Sequence, residues 1–157
     1  MILIIITFPA IKNPGPNPEE FTCFYQNVRG FVPFSELGKK VPNLDVSKIT
    51  EFQTYIFEHK PCMIVLNETW LSKCHQDNEI FPGEYYTCYR LDRSAKTHPP
   101  DKNDPKKYKL NGGGVLIAIR SDLNIEHKQI VINSKAEIIS VQLNFNKKNT
   151  KNSLPCN

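Results

Sequence analysis

One acidic residue, Glu68, follows a continuous apolar segment in the sequence IVLNETWL, residues 64–71. An acid in this position is expected at the carboxyl end of a buried central strand, where open α/β sheets bind their ligands. A carboxylate there is costly unless it meets a cation or a hydrogen-bond donor. Mg²⁺ is often held by only one or two protein carboxylates. Glu68 is therefore a candidate magnesium ligand, and the alternatives are a solvated loop glutamate or a helix-capping acid.

Asn27 ends an earlier predicted strand, in the sequence YQNVRG, residues 25–30. If that strand and the one before Glu68 are parallel neighbours, Asn27 and Glu68 end side by side. An amide offers both a donor and an acceptor, so Asn27 can orient a phosphate oxygen or the carboxylate itself. The alternative is an ordinary turn asparagine. Arg29 carries a fork of donors that suits phosphate, although a plain surface arginine is an equally good interpretation.

Basic residues elsewhere suggest contact with a polyanion. The formal net charge is +4, and residues 96–109 carry five lysines against two aspartates. A basic loop of this kind either meets nucleic acid or is simply solvated. Arg90 and Arg93 flank Asp92 at a predicted strand end, where a local salt bridge competes with contact to a nucleic-acid backbone. Candidate DNA-binding residues are Arg29, Arg90, Arg93, Lys102, Lys106 and Lys107.

The elements that would position Asn27 and Glu68 form a strand, a helix and a second strand. Residues 21–26 are a short aromatic run typical of a strand, and residues 62–66 are an apolar run typical of a central strand. Between them, Asp45 can cap a helix over residues 46–59, which has apolar residues at helical spacing. A helix that connects two strands makes those strands parallel.

The second half of the chain is predicted to be all strand. Segments 84–91, 113–119, 125–132 and 137–145 have strand character, with no convincing helix between them. Short links between the last three favour hairpins and antiparallel pairing. We expect an α/β (α+β) fold with mixed sheets and an outer helix. Six strands and one helix leave a sheet face poorly covered, which indicates a partial fold.

The length of 157 residues fits one domain. The first 20 residues, with three prolines in 13–20, are expected to lie outside it, residues 21–145 to form it, and residues 146–157 to be a disordered tail. The apolar run at residues 1–8 is too short to span a membrane, so no membrane partner is expected. No Cys-x-x-Cys pair supports a zinc site. The NGGG segment lacks the Lys-Ser/Thr of a phosphate-binding loop and enters a strand.

Four segments, in order, resemble a known family: FYQNVRG, MIVLNETWL, YYTCYRLDR and GGGVLIAI. Together they are similar to the endonuclease domain of non-LTR, jockey-like retrotransposons, over about residues 21–145. That domain belongs to the endonuclease/exonuclease/phosphatase superfamily, which includes apurinic/apyrimidinic endonucleases. The resemblance implies a four-layer α/β sandwich, of which this chain is the amino-terminal part. It also implies DNA cleavage with Mg²⁺ (or Mn²⁺), leaving a 3′-hydroxyl that primes reverse transcription.

The resemblance also implies roles for individual residues. Asn27 corresponds to the family's first-strand asparagine near the scissile phosphate, and Glu68 to its metal-binding glutamate. Arg29 matches an arginine that is common in retroelement members. The segment with Arg90 and Arg93 matches a retroelement motif to which no catalytic role is attached. The basic stretch at residues 94–111 is hypothesised to lie along DNA.

The chain departs from the family beyond residue 145. It contains no Tyr-x-Pro, Gly-Asp-Phe-Asn or Ser-Asp-His segment, and these supply the groups that activate the nucleophile. We therefore expect a fragment with little or no nuclease activity alone, which works in the nucleus with the rest of a polyprotein that includes reverse transcriptase. The alternative is a non-catalytic, nucleic-acid-binding remnant of a mobile element. A phosphatase or lipid hydrolase of the same superfamily is disfavoured by the pairing of YQNVRG with NETWL.

Overall fold

The computed structural model describes residues 2–7, 21–37, 39–94, 112–123, 125–132 and 137–145, with the first of these ranges described by its backbone. Within these ranges, seven strands form two sheets, with one long α-helix and one single-turn α-helix. In chain order they are β1 Ile2–Thr7, β2 Cys23–Asn27, α1 Val46–His59, β3 Met63–Asn67, α2 Asp77–Ile80, β4 Tyr86–Leu91, β5 Val115–Arg120, β6 Ile125–Ile130 and β7 Glu137–Phe145.

The larger sheet has four strands in the order β2-β3-β5-β4. Strands β2 and β3 are parallel, and β5 runs antiparallel to both of its neighbours, β3 and β4. The parallel β2–β3 pair confirms the prediction from the strand–helix–strand sequence. Asn27 lies directly opposite Asn67, so both strands end at the same level.

Helix α1 has the bounds that the sequence predicts. Asp45 caps it, because a carboxylate oxygen accepts the backbone N–H of Lys48 at 3.3 Å. Ile49, Phe52 and Ile56 are the buried stripe, which packs on one face of the four-stranded sheet. The amphipathic spacing thus places α1 outside the sheet, as expected.

Strand β3 is buried on both faces, which explains its unbroken apolar sequence. Ile64 and Leu66 point into the core under α1. Met63 and Val65 point the other way, into a second core. That second core lies between the two sheets and includes Ile139, Val141 and Leu143 of β7.

The smaller sheet has three strands in the order β1-β7-β6. Strand β6 is antiparallel to β7, whereas β1 is parallel to it along six residue pairs. This pairing of residues 2–7 differs from our expectation that the first 20 residues lie outside the domain. An apolar run too short for a membrane is long enough for a strand, and β7 offers it a backbone to pair with.

Strands β5 and β6 also differ from the expectation. Only residues 121–124 connect them, a length that favours a hairpin, yet they lie in different sheets. The antiparallel β6–β7 pair confirms the expectation, whereas β5 pairs antiparallel with β4 and not with β6. Every residue of β5 except Arg120 is buried, whereas β6 is largely exposed. Because β5 is buried and β6 is largely exposed, the two strands lie in different environments despite their short link.

The fold is mixed α/β, and no helix among the described residues combines the length and apolar character needed to cross a membrane.

Candidate functional site

Glu68 is the first residue of the loop that follows β3. Backbone hydrogen bonds hold this loop beyond the point where the strands end. Its carbonyl oxygen accepts the N–H of Gly30 at 2.7 Å, on the β2 side. Two residues later, the N–H of Trp70 donates to the carbonyl of Gly113 at 2.9 Å, on the β5 side. The loop is therefore held between the segment after β2 and the segment before β5.

The Glu68 carboxylate has two donors on one oxygen. Oε2 accepts the indole N–H of Trp70 at 3.0 Å and the backbone N–H of Gly113 at 2.8 Å. Oε1 has no hydrogen-bond partner in the described part of the chain. Glu68 is thus neither a helix cap nor a freely solvated glutamate. Its carboxylate is fixed in orientation, and one oxygen is left for a cation or an external donor.

The backbone around Glu68 is strained. Glu68 and Trp70 have φ angles of 54° and 58°, in the left-handed region that side chains rarely adopt. Gly113 has a φ of 72°, and a Cβ atom there would be 2.4 Å from the Arg93 guanidinium carbon. Glycine at 113 therefore lets the backbone N–H reach Glu68. Each strained residue costs about 1–3 kcal/mol, and such residues cluster at binding and catalytic sites.

Asn27 lies at the same edge of the sheet as Glu68. It is opposite Asn67 in the parallel register, and Glu68 is the next residue along the chain. The side-chain oxygen of Asn27 accepts the N–H of Arg29 at 3.1 Å, which is the turn-forming contact of the simpler interpretation. Its side-chain NH₂ has no partner in the described part of the chain, so it remains able to donate.

Asn67 was missed by the sequence analysis. It shares a sheet face with Asn27 because residues in register point the same way. Its Oδ1 atom is buried and has no hydrogen-bond partner among the described residues. A buried acceptor without a partner is costly, so an external donor or cation would relieve it. Its only sequence signal is a polar residue that ends an apolar run.

The Arg29 side chain has no hydrogen bond or ion pair with any described residue, whereas its backbone is fixed. Its φ is 48°, and its carbonyl accepts the ammonium group of Lys48 at 3.3 Å. The chain has four arginines, and the other three bind carboxylates. The unpaired guanidinium next to Asn27 is therefore available for an external anion.

Arg93 forms a bidentate ion pair between the sheets. Its Nε and Nη2 atoms lie 2.6 Å and 3.0 Å from the two carboxylate oxygens of Glu137, which is 1% exposed. Glu137 also accepts the N–H of Gly114 at 3.2 Å. Hydrogen bonding to Glu137 raises the pKa of Arg93, and the charge of Glu68 acts in the same direction. No sequence signal linked Arg93 to an acid 44 positions away, and whether it also contacts DNA stays a prediction.

Arg90 makes the local salt bridge that the sequence left as one of two options. Its guanidinium lies 3.0 Å from Asp92 and 2.8 Å from Asp77. It also donates to the carbonyls of Ser72 and His75, at 3.0 Å and 2.7 Å. Burial raises the pKa of Asp92, and Arg90 opposes that shift. These contacts give Arg90 a structural role, and DNA contact stays a prediction.

The three lysines predicted to contact DNA, Lys102, Lys106 and Lys107, lie outside the described residues. Across the described ranges, no group of three or more His, Cys, Asp or Glu side chains is arranged to hold a metal ion. The oxygen donors at the edge are instead the free oxygen of Glu68 and the amides of Asn27 and Asn67. Hard oxygen donors of this kind suit Mg²⁺, which also keeps water and substrate oxygens as ligands.

Comparison with known proteins gives no match to a family model, to a curated protein or to a solved structure.

Proposed function

We propose that this chain is part of a Mg²⁺-dependent (or Mn²⁺-dependent) DNA endonuclease of the retrotransposon type. The observation that carries the proposal is the parallel β2–β3 register. It puts Asn27 and Glu68 at one edge of the sheet, with the Glu68 carboxylate held in a fixed orientation. The ordered motifs YQNVRG and NETWL supply the link to this class of enzyme.

In this proposal Glu68 holds the metal through its free oxygen, and Asn67 is a second oxygen donor within the same edge. When bound, Mg²⁺ supplies positive charge to the phosphate and to the departing oxygen. Asn27 donates its NH₂ group to a phosphate oxygen. Arg29 binds a neighbouring phosphate, for which its guanidinium is suited in charge and shape.

The proposed reaction is hydrolysis of a phosphodiester bond. The oxygen of water bonds to phosphorus, the bond from phosphorus to the 3′ oxygen breaks, and that oxygen takes a proton. The products are a 3′-hydroxyl and a 5′-phosphate, and the 3′-hydroxyl would prime reverse transcription in the nucleus. The 157 residues contain no Gly-Asp-Phe-Asn or Ser-Asp-His segment to activate the water. We therefore expect nicking by this chain alone to be slow or absent.

The proposed architecture is the four-layer sandwich of the endonuclease/exonuclease/phosphatase superfamily. Three features support it: two sheets share a core, α1 covers the outer face of the larger sheet, and β3 is buried on both sides. A helix layer over the outer face of the smaller sheet would complete it. The remainder of a polyprotein with reverse transcriptase is the proposed source of that layer and of the missing catalytic groups.

Metal binding at Glu68 can be tested by fluorescence, because Trp70 is the only tryptophan and its indole N–H bonds to Glu68. Adding paramagnetic Mn²⁺ should quench that fluorescence, and excess Mg²⁺ should restore it by competition. Glu68→Gln removes the charge while it keeps the shape, so we expect quenching to be lost. Glu126→Gln changes an exposed carboxylate on β6 and is the matched control. Equal quenching of both variants would refute a metal site at Glu68.

Cleavage can be tested by nicking of supercoiled plasmid with Mg²⁺. We expect little or no relaxed product from the 157-residue chain and none from Glu68→Gln. Strong nicking that is lost in Glu68→Gln would support the site and refute the expected inactivity. Strong nicking that survives in Glu68→Gln would refute the site. The alternative, a non-catalytic nucleic-acid-binding remnant, would be favoured by DNA binding together with no Mn²⁺ quenching.

A further inference from the structure

A solvent-exposed phenylalanine lies beside the candidate site. Phe34 begins a short 3₁₀ turn after Pro33 and is 77% exposed. The two residues before Pro33, Phe31 and Val32, are 2% and 1% exposed, so the chain is anchored next to the exposed ring. The N–H of Phe31 also donates to the carbonyl of Thr69 at 2.9 Å, in the loop that carries Glu68. The position of Phe34 is therefore tied to the site.

Phe34 contacts Trp70, which connects it to the Glu68 carboxylate. The two ring centroids are 6.5 Å apart in an edge-to-face arrangement. Trp70 cannot move away easily: its ring lies against the backbone of Gly30, and its indole N–H is bonded to Glu68. Aromatic pairs with this geometry are favourable. Phe34 and Trp70 thus form an aromatic pair whose outer face is open to solvent.

The segment that carries Phe34 is also basic. Residues 29–40 contain Arg29, Lys39 and Lys40 against one acid, Glu36, which gives a net charge of +2. Lys39 is paired with Glu36 at 2.5 Å. Arg29 has no partner in the described part of the chain, and Lys40 is exposed and has none there either. An exposed aromatic face next to unpaired cations is the chemistry that binds a base together with its phosphate.

We infer that Phe34, packed on Trp70, is a stacking surface for an unpaired base of single-stranded DNA. The adjacent phosphate would bind Arg29, and the backbone would run along the edge that carries Glu68. A base inside a duplex is already stacked on both sides and cannot use this face. The inference rests on the proposed function and specifies its substrate: the site prefers DNA with an unpaired nucleotide.

The test measures binding without metal, so that its outcome does not depend on the magnesium site. The full chain is titrated in EDTA with a short oligothymidylate, and Trp70 fluorescence and fluorescence anisotropy of the labelled strand are recorded. We expect the single strand to quench Trp70 and to bind at least about fivefold tighter than a duplex of equal length. An oligouridylate arm shows whether RNA binds equally well.

Two substitutions make the result specific. Phe34→Ala should weaken single-strand binding about tenfold and leave duplex binding unchanged, because one stacked base is lost. Phe34→Leu keeps an apolar side chain but not the stacking face, and should weaken binding nearly as much. Phe57→Ala removes another exposed phenylalanine, 74% exposed on α1, and should have no effect.

Equal affinity for single strand and duplex, or equal loss in Phe34→Ala and Phe57→Ala, would overturn the inference. So would an absence of binding to any oligonucleotide, which would leave a protein partner as the better occupant of the aromatic pair. Mn²⁺ quenching at Glu68 is measured separately. Its presence with no single-strand preference would refute the stacking surface alone. Its absence with intact Phe34-dependent binding would refute the metal site alone.

Discussion

Individual residues around Glu68 are held by backbone atoms more than by side chains. Gly113 donates its N–H to the carboxylate, Gly30 donates to the carbonyl of the same residue, and Gly114 accepts from Thr69. Residues with unusual φ angles cluster at binding and catalytic sites, and Glu68 itself has a φ of 54°. The strained backbone at Glu68 and the fixed orientation of its carboxylate therefore occur together at this edge.

Gly113→Ala should disturb Glu68 as well as the fold. The new Cβ atom would meet the Arg93 guanidinium at 2.4 Å, and a φ of 72° disfavours alanine. We expect a loss of about 1–3 kcal/mol in the free energy of unfolding, measured by urea denaturation. Because the Gly113 N–H would shift away from Glu68, Mn²⁺ quenching of Trp70 should weaken as well.

Gly83→Ala is the matched control for that substitution. Its φ is 82°, so it carries a similar backbone penalty, and its Cβ atom would meet only the side chain of the exposed Tyr85. It should lower stability and leave Mn²⁺ quenching unchanged. Weakened quenching in Gly83→Ala as well would mean that quenching follows overall stability and not the contact of Gly113 with Glu68.

At the scale of elements, local sequence signals predicted α1 and the β2–β3 pair well. Asp45, the apolar spacing of α1 and the unbroken apolar run of β3 each act within a few residues of the chain, so one sequence is enough to recognise them. The same signals placed Asn27 and Glu68 at one edge. Partners distant in the chain were not predictable: neither the bidentate Arg93–Glu137 pair nor the Gly113–Glu68 hydrogen bond leaves a local pattern.

Strand pairing also divides into local features, which the sequence predicts, and contacts between distant segments, which it does not. The pairing of β1 with β7 joins segments more than 130 residues apart, and sequence periodicity carries no information about such a partner. The short link between β5 and β6 favoured a hairpin, but burial decided otherwise, because β5 lies in the centre of the larger sheet. The link length alone did not determine the pairing here, because β5 is buried and β6 is largely exposed.

Strand β2 is an unprotected edge of the larger sheet in the described part of the chain. Its sequence, CFYQN, contains no charge and no proline, the usual protection against edge-to-edge association. Its Tyr25 side chain is 63% exposed on the face that points away from α1. Strand β2 is therefore the strand at which edge-to-edge association is expected.

Gln26→Lys should reduce aggregation of the chain. Gln26 is exposed on β2, and a charge there opposes the addition of a second strand. We expect a higher concentration limit before light scattering rises. Thr54→Lys adds the same charge on the exposed surface of α1, away from any edge. Equal improvement in the two variants would show that net charge, not the β2 edge, controls solubility.

At the scale of the whole molecule, β7 connects the two ends of the described chain. It pairs with β1 on one side and β6 on the other, and its Ile139, Val141 and Leu143 fill the core between the sheets. Glu137, its first residue, is tied to Arg93 close to Glu68. Strand β7 thus connects the smaller sheet to the position of the candidate site.

Deletion of residues 1–7 should therefore destabilise the whole molecule. It removes a parallel ladder of six residue pairs and leaves one side of β7 without hydrogen-bond partners. At about 0.5–1.5 kcal/mol for each net hydrogen bond, the loss is on the order of 3 kcal/mol. Thermal unfolding should show a lower Tm, and hydrogen exchange should show faster exchange at the β7 amides that face β1.

Deletion of residues 151–157 is the control, because the sequence predicts that this polar tail lies outside the domain. It should change neither the Tm nor the exchange of β7. If both deletions leave the Tm unchanged, β1 contributes no stability, and the expectation that residues 1–20 lie outside the domain is restored. If the β1 deletion lowers the Tm and also weakens Mn²⁺ quenching at Trp70, the link from β7 through Arg93 to Glu68 is energetic as well as geometric.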